Sequence, residues 1–293
     1  MSFTLSKAAP FIFVWLWSTG FIGAKYGLPY IEPFFMLLVR FSLVVCIFIF
    51  LVTLYKSSWI GFKESGQQII IGALIHGAYL GGVFFAINEG IAAGVAAVIV
   101  GLQPLVTSFI GKVFLNQPLN IKQAIGLTLG FLGISLVILE KIDIAATQFS
   151  FSGLLACIIA LFSISIGTVL QKHLASKTPL LTGSFYQYIG AIMVVSLLSF
   201  NLEDQQFTLT WELAIAMTWL IFGLSVLAIL LLLYMIREGE VAKVTSYFYL
   251  VPPVALFQTW LIFDEKLGIM AMTGTLLTIL AVIMVVKYQS DSS

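Results

Sequence analysis

The chain has 293 residues, of which 60% are hydrophobic and only 9% are charged. Soluble domains are about 45–50% apolar and about 25% charged, so this composition excludes a soluble globule and indicates a chain whose solvent is lipid. The formal net charge of +1 argues against nucleic acid as a partner.

Ten apolar runs along the chain each approach the roughly 20 residues that a helix needs to cross the hydrocarbon. Inside lipid the backbone groups of a segment have to pair within that segment, so runs of this length predict helices. The short links between the runs contain Gly, Pro and Asn residues typical of turns. The runs are residues 8–27, 33–55, 67–88, 91–113, 121–139, 152–171, 180–200, 211–236, 241–263 and 268–287.

One pattern occurs twice, about half a chain apart. Glu89 precedes a glycine and an apolar run that contains Pro104, and Glu238 precedes a glycine and a run that contains Pro253. Both pairs are separated by 149 residues (238 − 89 and 253 − 104). A shared offset inside two matching hydropathy profiles is typical of transporters built from two structural repeats.

We therefore predict an all-α integral membrane protein of ten transmembrane helices, arranged as two inverted five-helix repeats over residues 8–139 and 151–287. With the N-terminus in the cytoplasm, ten of the 14 basic residues lie on the inner side, three lie on the outer side, and Arg40 lies within a span. This bias predicts that both termini are cytoplasmic. Five spans per repeat make the second repeat enter the bilayer from the opposite side, which suits alternating access.

Several motifs resemble those of the drug/metabolite transporter superfamily, EamA type. The first run contains Trp-Leu-Trp-Ser-Thr-Gly over residues 15–20, and the second contains Pro-Phe-Phe over residues 33–35, followed by Arg40. The duplicated Glu-Gly and proline pattern fits the same family. The resemblance covers about residues 10–287 and implies export or exchange of small metabolites, amino acids or drugs through a central cavity.

The sequence departs from that family at one motif. The family usually carries a Gly-Glu pair after the fourth and the ninth span. At these places the chain has Asn116-Gln117 and Asp264-Glu265, so the first half lacks the acid.

No carboxylate lies deep inside a predicted span. All 13 acids fall in links or at span ends, which argues against a sodium site or a proton relay built on an intramembrane acid. His76 and His173, the two histidines, do not form a His-Glu-x-x-His pair, and no nucleophile turn is recognisable. We expect no catalytic residue, no metal and no cofactor. An intramembrane enzyme or lipid-processing protein, the alternative function, would need such a catalytic constellation.

Arg40 lies about seven residues into the second span, where a charge costs a few kcal/mol unless it faces protein or water. It either snorkels to the headgroups or binds carbonyls, or it contacts an anionic group of a substrate or a gating partner. Its counterpart, 147 residues later, is Gln187, next to Tyr186. Because both copies are polar, we count these three residues as candidates for substrate binding.

His76 and Tyr79 lie midway along the third span and share one helix face with Gly72 and Val83. His76 is either a buried neutral side chain bonded to a neighbour, or a residue of the cavity that binds substrate or carries a proton. It is the midplane group whose charge changes near neutral pH. Proton coupling and a facilitator or exchanger mechanism are therefore both open.

Three further features complete the candidate site. Pro104 and Pro253 each remove a backbone hydrogen bond, which predicts kinks that are either purely structural or beside the pathway, with Gln103 on the same stretch. Trp17 is mid-span and shares a face with a glycine that makes room for a ligand. Tyr249 is a weaker aromatic candidate, because aromatic residues in membrane helices are usually packing or interfacial.

The sequence thus predicts a secondary transporter, an exporter, exchanger or facilitator, in the inner membrane of a bacterium. It would move a small organic solute such as an amino acid, metabolite or drug by alternating access. The expected partners are this solute and the lipid bilayer. We place the cavity between spans 1, 3, 4, 6, 8 and 9, and expect the fifth and tenth spans to be structural. These motifs encode neither the substrate nor the oligomeric state.

Overall fold

The computed structural model describes residues 3–115, 121–144, 150–174, 178–229, 231, 250–265 and 268–289. These residues form helices and connecting loops, with one isolated antiparallel bridge between Ile31 and Phe207. The helices are α1 (Phe3–Gly27), α2 (Pro33–Leu54), α3 (Phe62–Asn88), α4 in two segments (Ala93–Val100 and Gln103–Leu115), α5 (Ile121–Ile144), α6 (Phe151–Leu174), α7 (Leu180–Leu202), α8 (Trp211–Ala228), α9 (Val251–Phe263) and α10 (Ile269–Gln289).

Six of the described helices, α2, α3, α4, α6, α7 and α8, are long and apolar enough to cross a membrane. Shorter apolar stretches occur in α5, α9 and α10. The all-helical membrane class predicted from the sequence is confirmed. The count of ten spans and the orientation of the termini stay predictions.

Alternate loops meet at one end of the bundle. The carboxylate of Glu32, between α1 and α2, accepts a hydrogen bond from the backbone N–H of Gln206, between α7 and α8, at 2.7 Å. The carboxylate of Glu89, after α3, accepts one from the Ser152 hydroxyl in the first turn of α6, at 2.6 Å. These bonds tie loops of the first half to loops of the second half, as expected for helices that run alternately up and down.

Three glutamates at this end satisfy the first backbone N–H groups of helices that are remote in sequence. Such N–H groups have no partner within their own helix, and a carboxylate also interacts favourably with the helix dipole. These three acids are therefore architectural. The pairs are Glu203 with Phe34 and Phe35 of α2, Glu265 with Ala93 and Gly94 of α4, and Glu140 with Gly268 and Ala271 at the start of α10.

The Glu265 contact explains what the acid after the ninth span does. Its carboxylate oxygens lie 3.1 Å from the backbone nitrogens of Ala93 and Gly94 at the start of α4. One of them also lies 2.5 Å from the Nζ atom of Lys25 at the end of α1. One side chain thus joins three helices. The corresponding link of the first half, residues 116–120, lies outside the described residues.

The α4 helix is interrupted at Gly101 and Leu102, directly before Pro104, so the predicted kink is present as a break between two helical segments. A Cβ atom on Gly101 would clash with the Pro252 ring, which shows that α4 and α9 pack closely at the break. Pro253 lies in the first turn of α9 as described. Tyr249, whose carbonyl would otherwise accept its backbone bond, lies outside the described residues, so the kink at Pro253 stays a prediction.

The α5 and α10 helices pack along each other. A Cβ atom on Gly133 would meet the Gly274 carbonyl, and one on Gly274 would meet the Gly133 carbonyl. Such glycine contacts let two membrane helices approach backbone to backbone. Neither helix contributes to the cavity described below, in line with the structural role expected for these spans.

Candidate functional site

A cavity of about 90 Å³ lies inside the bundle between α1, α2, α3, α6, α7 and α8. Spans 2 and 7 therefore take the place of the predicted spans 4 and 9, which supply no lining residue in the described part of the chain. The physical reason is that α4 and α9 close on each other at Gly101. The cavity is lined by Trp17, Gly20, Phe21, Arg40, Ile75, His76, Tyr79, Leu80, Val83, Phe84, Ile164, Tyr188, Leu224, Ser225 and Ile229.

Two π-helical segments form part of the wall. The α3 helix is π-helical over Ala73–Ala78, which includes His76, and α8 is π-helical over Trp219–Ala228, which includes Ser225. These two side chains are 149 residues apart (225 − 76), the same offset as the repeated Glu-Gly and proline pattern. In the predicted two-repeat organisation they would occupy equivalent positions of the two halves. Single π-helical turns occur frequently at functional sites. Sequence analysis missed Ser225, although the offset could have identified it.

Arg40 is buried in the cavity wall, with 5% of its surface exposed. Its Nε and Nη2 atoms donate to the Oγ atom of Ser225 at 3.3 and 3.1 Å. This partner is neutral, and no carboxylate of the described residues forms an ion pair with the guanidinium. The side chain faces protein, so the interpretation that it snorkels to the headgroups is wrong. A buried guanidinium with N–H donors to spare is suited to binding an anionic group.

His76 is held by a cluster of amide side chains from three helices. Its Nε2 atom lies 3.3 Å from the Oε1 atom of Gln187 on α7. The amide nitrogen of Gln187 donates to Oε1 of Gln68 on α3 at 2.6 Å and to Oε1 of Gln171 on α6 at 2.7 Å. The ring of Tyr188 stacks on the imidazole, with ring centroids 4.6 Å apart and planes 13° apart. Gln187 thus contacts His76 instead of lining the cavity.

The close approach of α3 and α7 brings this cluster together. A Cβ atom on Gly72 would clash with the backbone of Gln187, and one on Gly190 would clash with the Ile69 carbonyl. At both places only a hydrogen atom fits between the two backbones. The glycines therefore determine which face of α7 meets His76.

Trp17 and Tyr79 lie in the cavity wall with Arg40 and His76, so four of the predicted site residues are in one place. Tyr79 is buried, and the Trp17 ring packs against Phe13 with centroids 5.3 Å apart. The wall is thus a mixture of aromatic and aliphatic surface with the polar side chains of Arg40, His76 and Ser225. Binding of substrate by these residues stays a prediction.

The other predicted site residues lie elsewhere. The Nε2 atom of Gln103 donates to the Thr168 hydroxyl at 2.9 Å, between α4 and α6, and Tyr186 packs edge-on against Trp59 with centroids 6.3 Å apart. Tyr249 and the side chain of Pro104 lie outside the described residues, and Pro253 lines a separate groove between α9 and α10. The geometry supports no place in the cavity for Gln103, Tyr186 or Pro253.

Comparison with known proteins identifies the family. The model of the EamA-like transporter family matches residues 8–139 and 151–287. The chain belongs to the EamA-like transporter family. The resemblance to the drug/metabolite transporter superfamily is thereby confirmed, and the protein is a multi-pass membrane transporter of the cell membrane.

Relatives of this family member cover nearly its whole length. An uncharacterized transporter of Archaeoglobus fulgidus is 23% identical over 94% of this chain and 96% of the relative. Probable amino-acid metabolite efflux pumps of Salmonella typhimurium and Escherichia coli are 25% and 24% identical, each over 89% of this chain and 88% of the pump. A crystal structure that is 15% identical superposes with a TM-score of 0.64 over the full length of both chains, so it shares the fold.

Proposed function

We propose that this protein is a secondary transporter that exports a small amino-acid-type metabolite through the described cavity by alternating access. The observation that carries the proposal is the Arg40 guanidinium, which is buried in a mostly aromatic and aliphatic wall and has a neutral hydroxyl as its described partner. The printed names of two relatives, probable amino-acid metabolite efflux pumps, support the same substrate class.

The chemistry of the wall fits each part of such a solute. A carboxylate would accept hydrogen bonds from the N–H groups of Arg40 that have no acceptor among the described residues, and charge-assisted bonds of this kind are roughly twice as strong as neutral ones. The faces of Trp17 and Tyr79 attract an ammonium group. Leu80, Val83 and other apolar neighbours would pack against the side chain of the solute. A cavity of about 90 Å³ has room for a small amino acid or several waters.

Purified protein in proteoliposomes, preloaded with single unlabelled amino acids, tests this function by counterflow of the radiolabelled form. We expect saturable counterflow for at least one amino acid with a small or medium apolar side chain, and none in liposomes without protein. A panel in which neither amino acids nor other small carboxylates exchange would contradict the proposal.

We infer further that the end at which the alternate loops meet faces away from the cytoplasm. The positive-inside bias of the links supports this orientation, since the glutamate-rich loops carry few basic residues. Labelling of Gln205→Cys and Ala175→Cys in intact cells with a membrane-impermeant thiol reagent tests it, in a background without Cys46 and Cys157. Labelling at position 205 but not at 175 is expected, and the reverse pattern would invert the topology.

For coupling, we favour a facilitator or exchanger over a proton-driven pump, because no described carboxylate lines the cavity beside His76. The His76→Gln variant keeps a polar group but cannot carry a proton. If it abolishes transport driven by a pH gradient while counterflow survives, His76 is the coupling group. Wild-type transport that ignores an imposed pH gradient is the result we expect.

A further inference from the structure

We propose that Gln187 fixes the tautomer of His76 and so makes this histidine a hydrogen-bond acceptor for the amino group of the transported solute. Gln187 would then be a positioning residue, which acts on the substrate through His76. The part that concerns substrate rests on the proposed function, whereas the part that concerns the tautomer does not.

The two hydrogens on the Gln187 amide nitrogen decide which atom of the amide faces His76. An amide nitrogen carries two N–H donors, and its oxygen can only accept. Both donors are in use, because the nitrogen lies 2.6 Å from Oε1 of Gln68 and 2.7 Å from Oε1 of Gln171. The amide oxygen is therefore the atom that faces Nε2 of His76, at 3.3 Å. A hydrogen bond between them requires Nε2 to carry the proton.

A proton on Nε2 decides the role of the other ring nitrogen of His76, Nδ1. In a neutral imidazole with the proton on Nε2, Nδ1 has a lone pair and accepts hydrogen bonds. No side chain or backbone group of the described residues donates to Nδ1 of His76, and the ring itself lines the cavity. Tyr188 stacks on the face of the ring, which restricts its rotation. His76 in the cavity wall therefore carries a ring acceptor that no described donor engages.

His76, which carries this acceptor, and Arg40 lie on the same cavity wall. The guanidinium presents only donors, and His76 in this tautomer presents an acceptor. The pair is complementary to a molecule that carries a carboxylate and an N–H donor, as an α-amino acid does. The opposite tautomer would direct an N–H group toward the amino group of the solute. Tautomer selection by Gln187 is thus a source of specificity for amino acids over their keto acids.

The tautomer can be measured directly, because the chain has only two histidines. In the His173→Gln variant, labelled with ¹⁵N-histidine and reconstituted in bilayers at about pH 8, His76 gives the only imidazole signals and is neutral. We expect the ¹⁵N shifts of a protonated Nε2 and an unprotonated Nδ1. A spectrum of the Nδ1–H tautomer would overturn the proposal.

Matched variants then test whether Gln187 is the cause. Gln187→Met has a similar shape but only a weak sulfur acceptor, so both tautomers should be populated, whereas Gln187→Glu keeps an acceptor oxygen and should keep Nε2–H. If Gln187→Met does not fold, the double variant Gln68→Met with Gln171→Met removes what orients the amide and should also mix the tautomers. Spectra that do not change in the variant that folds would show that Gln187 does not set the tautomer.

A transport measurement tests the consequence for substrate. We expect the wild type to export L-leucine roughly 10- to 100-fold more efficiently than its α-keto acid, and Gln187→Met to reduce this ratio by about tenfold, as for the loss of a hydrogen bond to a charged group. Equal ratios in the two proteins would overturn the role in specificity. If no compound of the counterflow panel is exchanged but the Nε2–H tautomer is observed, the proposed function fails while the assignment of the tautomer stands.

Discussion

The end of the bundle where the loops meet and the central cavity use polar groups in opposite ways. At the loop end, the carboxylates of Glu203, Glu265 and Glu140 each accept hydrogen bonds from two backbone N–H groups, and Glu265 also pairs with Lys25. In the cavity, the buried cation Arg40 has a serine hydroxyl as its described partner. The carboxylates at the loop end thus have donors or a cation of the protein as partners, whereas the Arg40 guanidinium has no acidic partner among the described residues.

This difference separates architecture from function. A satisfied carboxylate at a helix N-terminus stabilises the fold and offers little to a solute. A buried guanidinium without an acid costs stability, and it gains a full partner only when an anion binds. Substitutions at the loop end should therefore change stability, and substitutions in the cavity should change transport.

The largest expected effect is that of Arg40→Gln. Loss of a charge-assisted hydrogen bond of about 1.5–3 kcal/mol should reduce the export efficiency of L-leucine by roughly 10- to 100-fold. The unfolding temperature should not fall, because the variant removes an unpaired buried charge. Arg40→Lys, which keeps the charge without the planar fork, is the control and should retain intermediate activity. Export of L-leucine by Arg40→Gln at the wild-type efficiency would contradict the distinction between a structural loop end and a functional cavity.

The second largest effect is expected at the contact between α3 and α7, which positions the cavity. Gly190→Ala places a methyl group against the Ile69 carbonyl, and overpacking of this kind costs about 1–3 kcal/mol of unfolding free energy. Gly66→Ala is the matched control, because a Cβ atom there meets nothing within 4 Å and alanine favours a helix. The thermal unfolding midpoint in detergent should fall for Gly190→Ala alone. Equal midpoints for the two variants would show that α3 and α7 are not in tight contact.

At the loop end, Glu265→Gln should destabilise the protein by roughly 0.5–2 kcal/mol, since it removes the charge that caps α4. Lys25→Met removes the ion pair with Glu265 but keeps the carboxylate that caps α4, so it measures the contribution of the ion pair alone. The Lys25 side chain is 33% exposed, so its pairing contributes less than about 1 kcal/mol. Thermal unfolding measures both, and the KM for L-leucine should stay unchanged in each. A larger loss of stability in Lys25→Met than in Glu265→Gln would reverse this ranking.

The smallest effect concerns pH and Glu203, which lies just beyond α7. Partial burial raises the pKa of its carboxyl above the ordinary value of 4.5, although the N–H groups of Phe34 and Phe35 oppose the shift. The folded state therefore binds this proton more tightly than the unfolded state. The resulting stability is present below about pH 4.5 and is lost as pH rises through the folded pKa.

Unfolding temperatures between about pH 4 and pH 7 can detect this contribution as a difference between the wild type and Glu203→Gln. The glutamine variant should show a smaller decrease with rising pH, because its amide does not titrate. Parallel curves for the two proteins would show that Glu203 does not contribute. The effect is small because water still reaches part of the side chain.

Much of the site could be predicted from the sequence, because helix periodicity and depth within a span are local properties. Trp17, Arg40, His76 and Tyr79 were chosen in this way, and all four line the cavity. Tyr186 was chosen as the neighbour of Gln187, yet Tyr188 is the tyrosine of α7 that lines the cavity. Two positions along a helix turn a side chain by about 200°, and a sequence does not say which face is turned toward a cavity.

The sequence by itself determined the membrane class, the helical segments and the 149-residue offset, because hydropathy and turn residues act over short distances along the chain. Only the tertiary structure decided which acid caps which helix, and which amides surround His76. Gln187 is 119 residues from Gln68 and 111 residues from His76. Hydrogen bonds over such separations exist only once glycine contacts have set the distance and rotation of the packed helices.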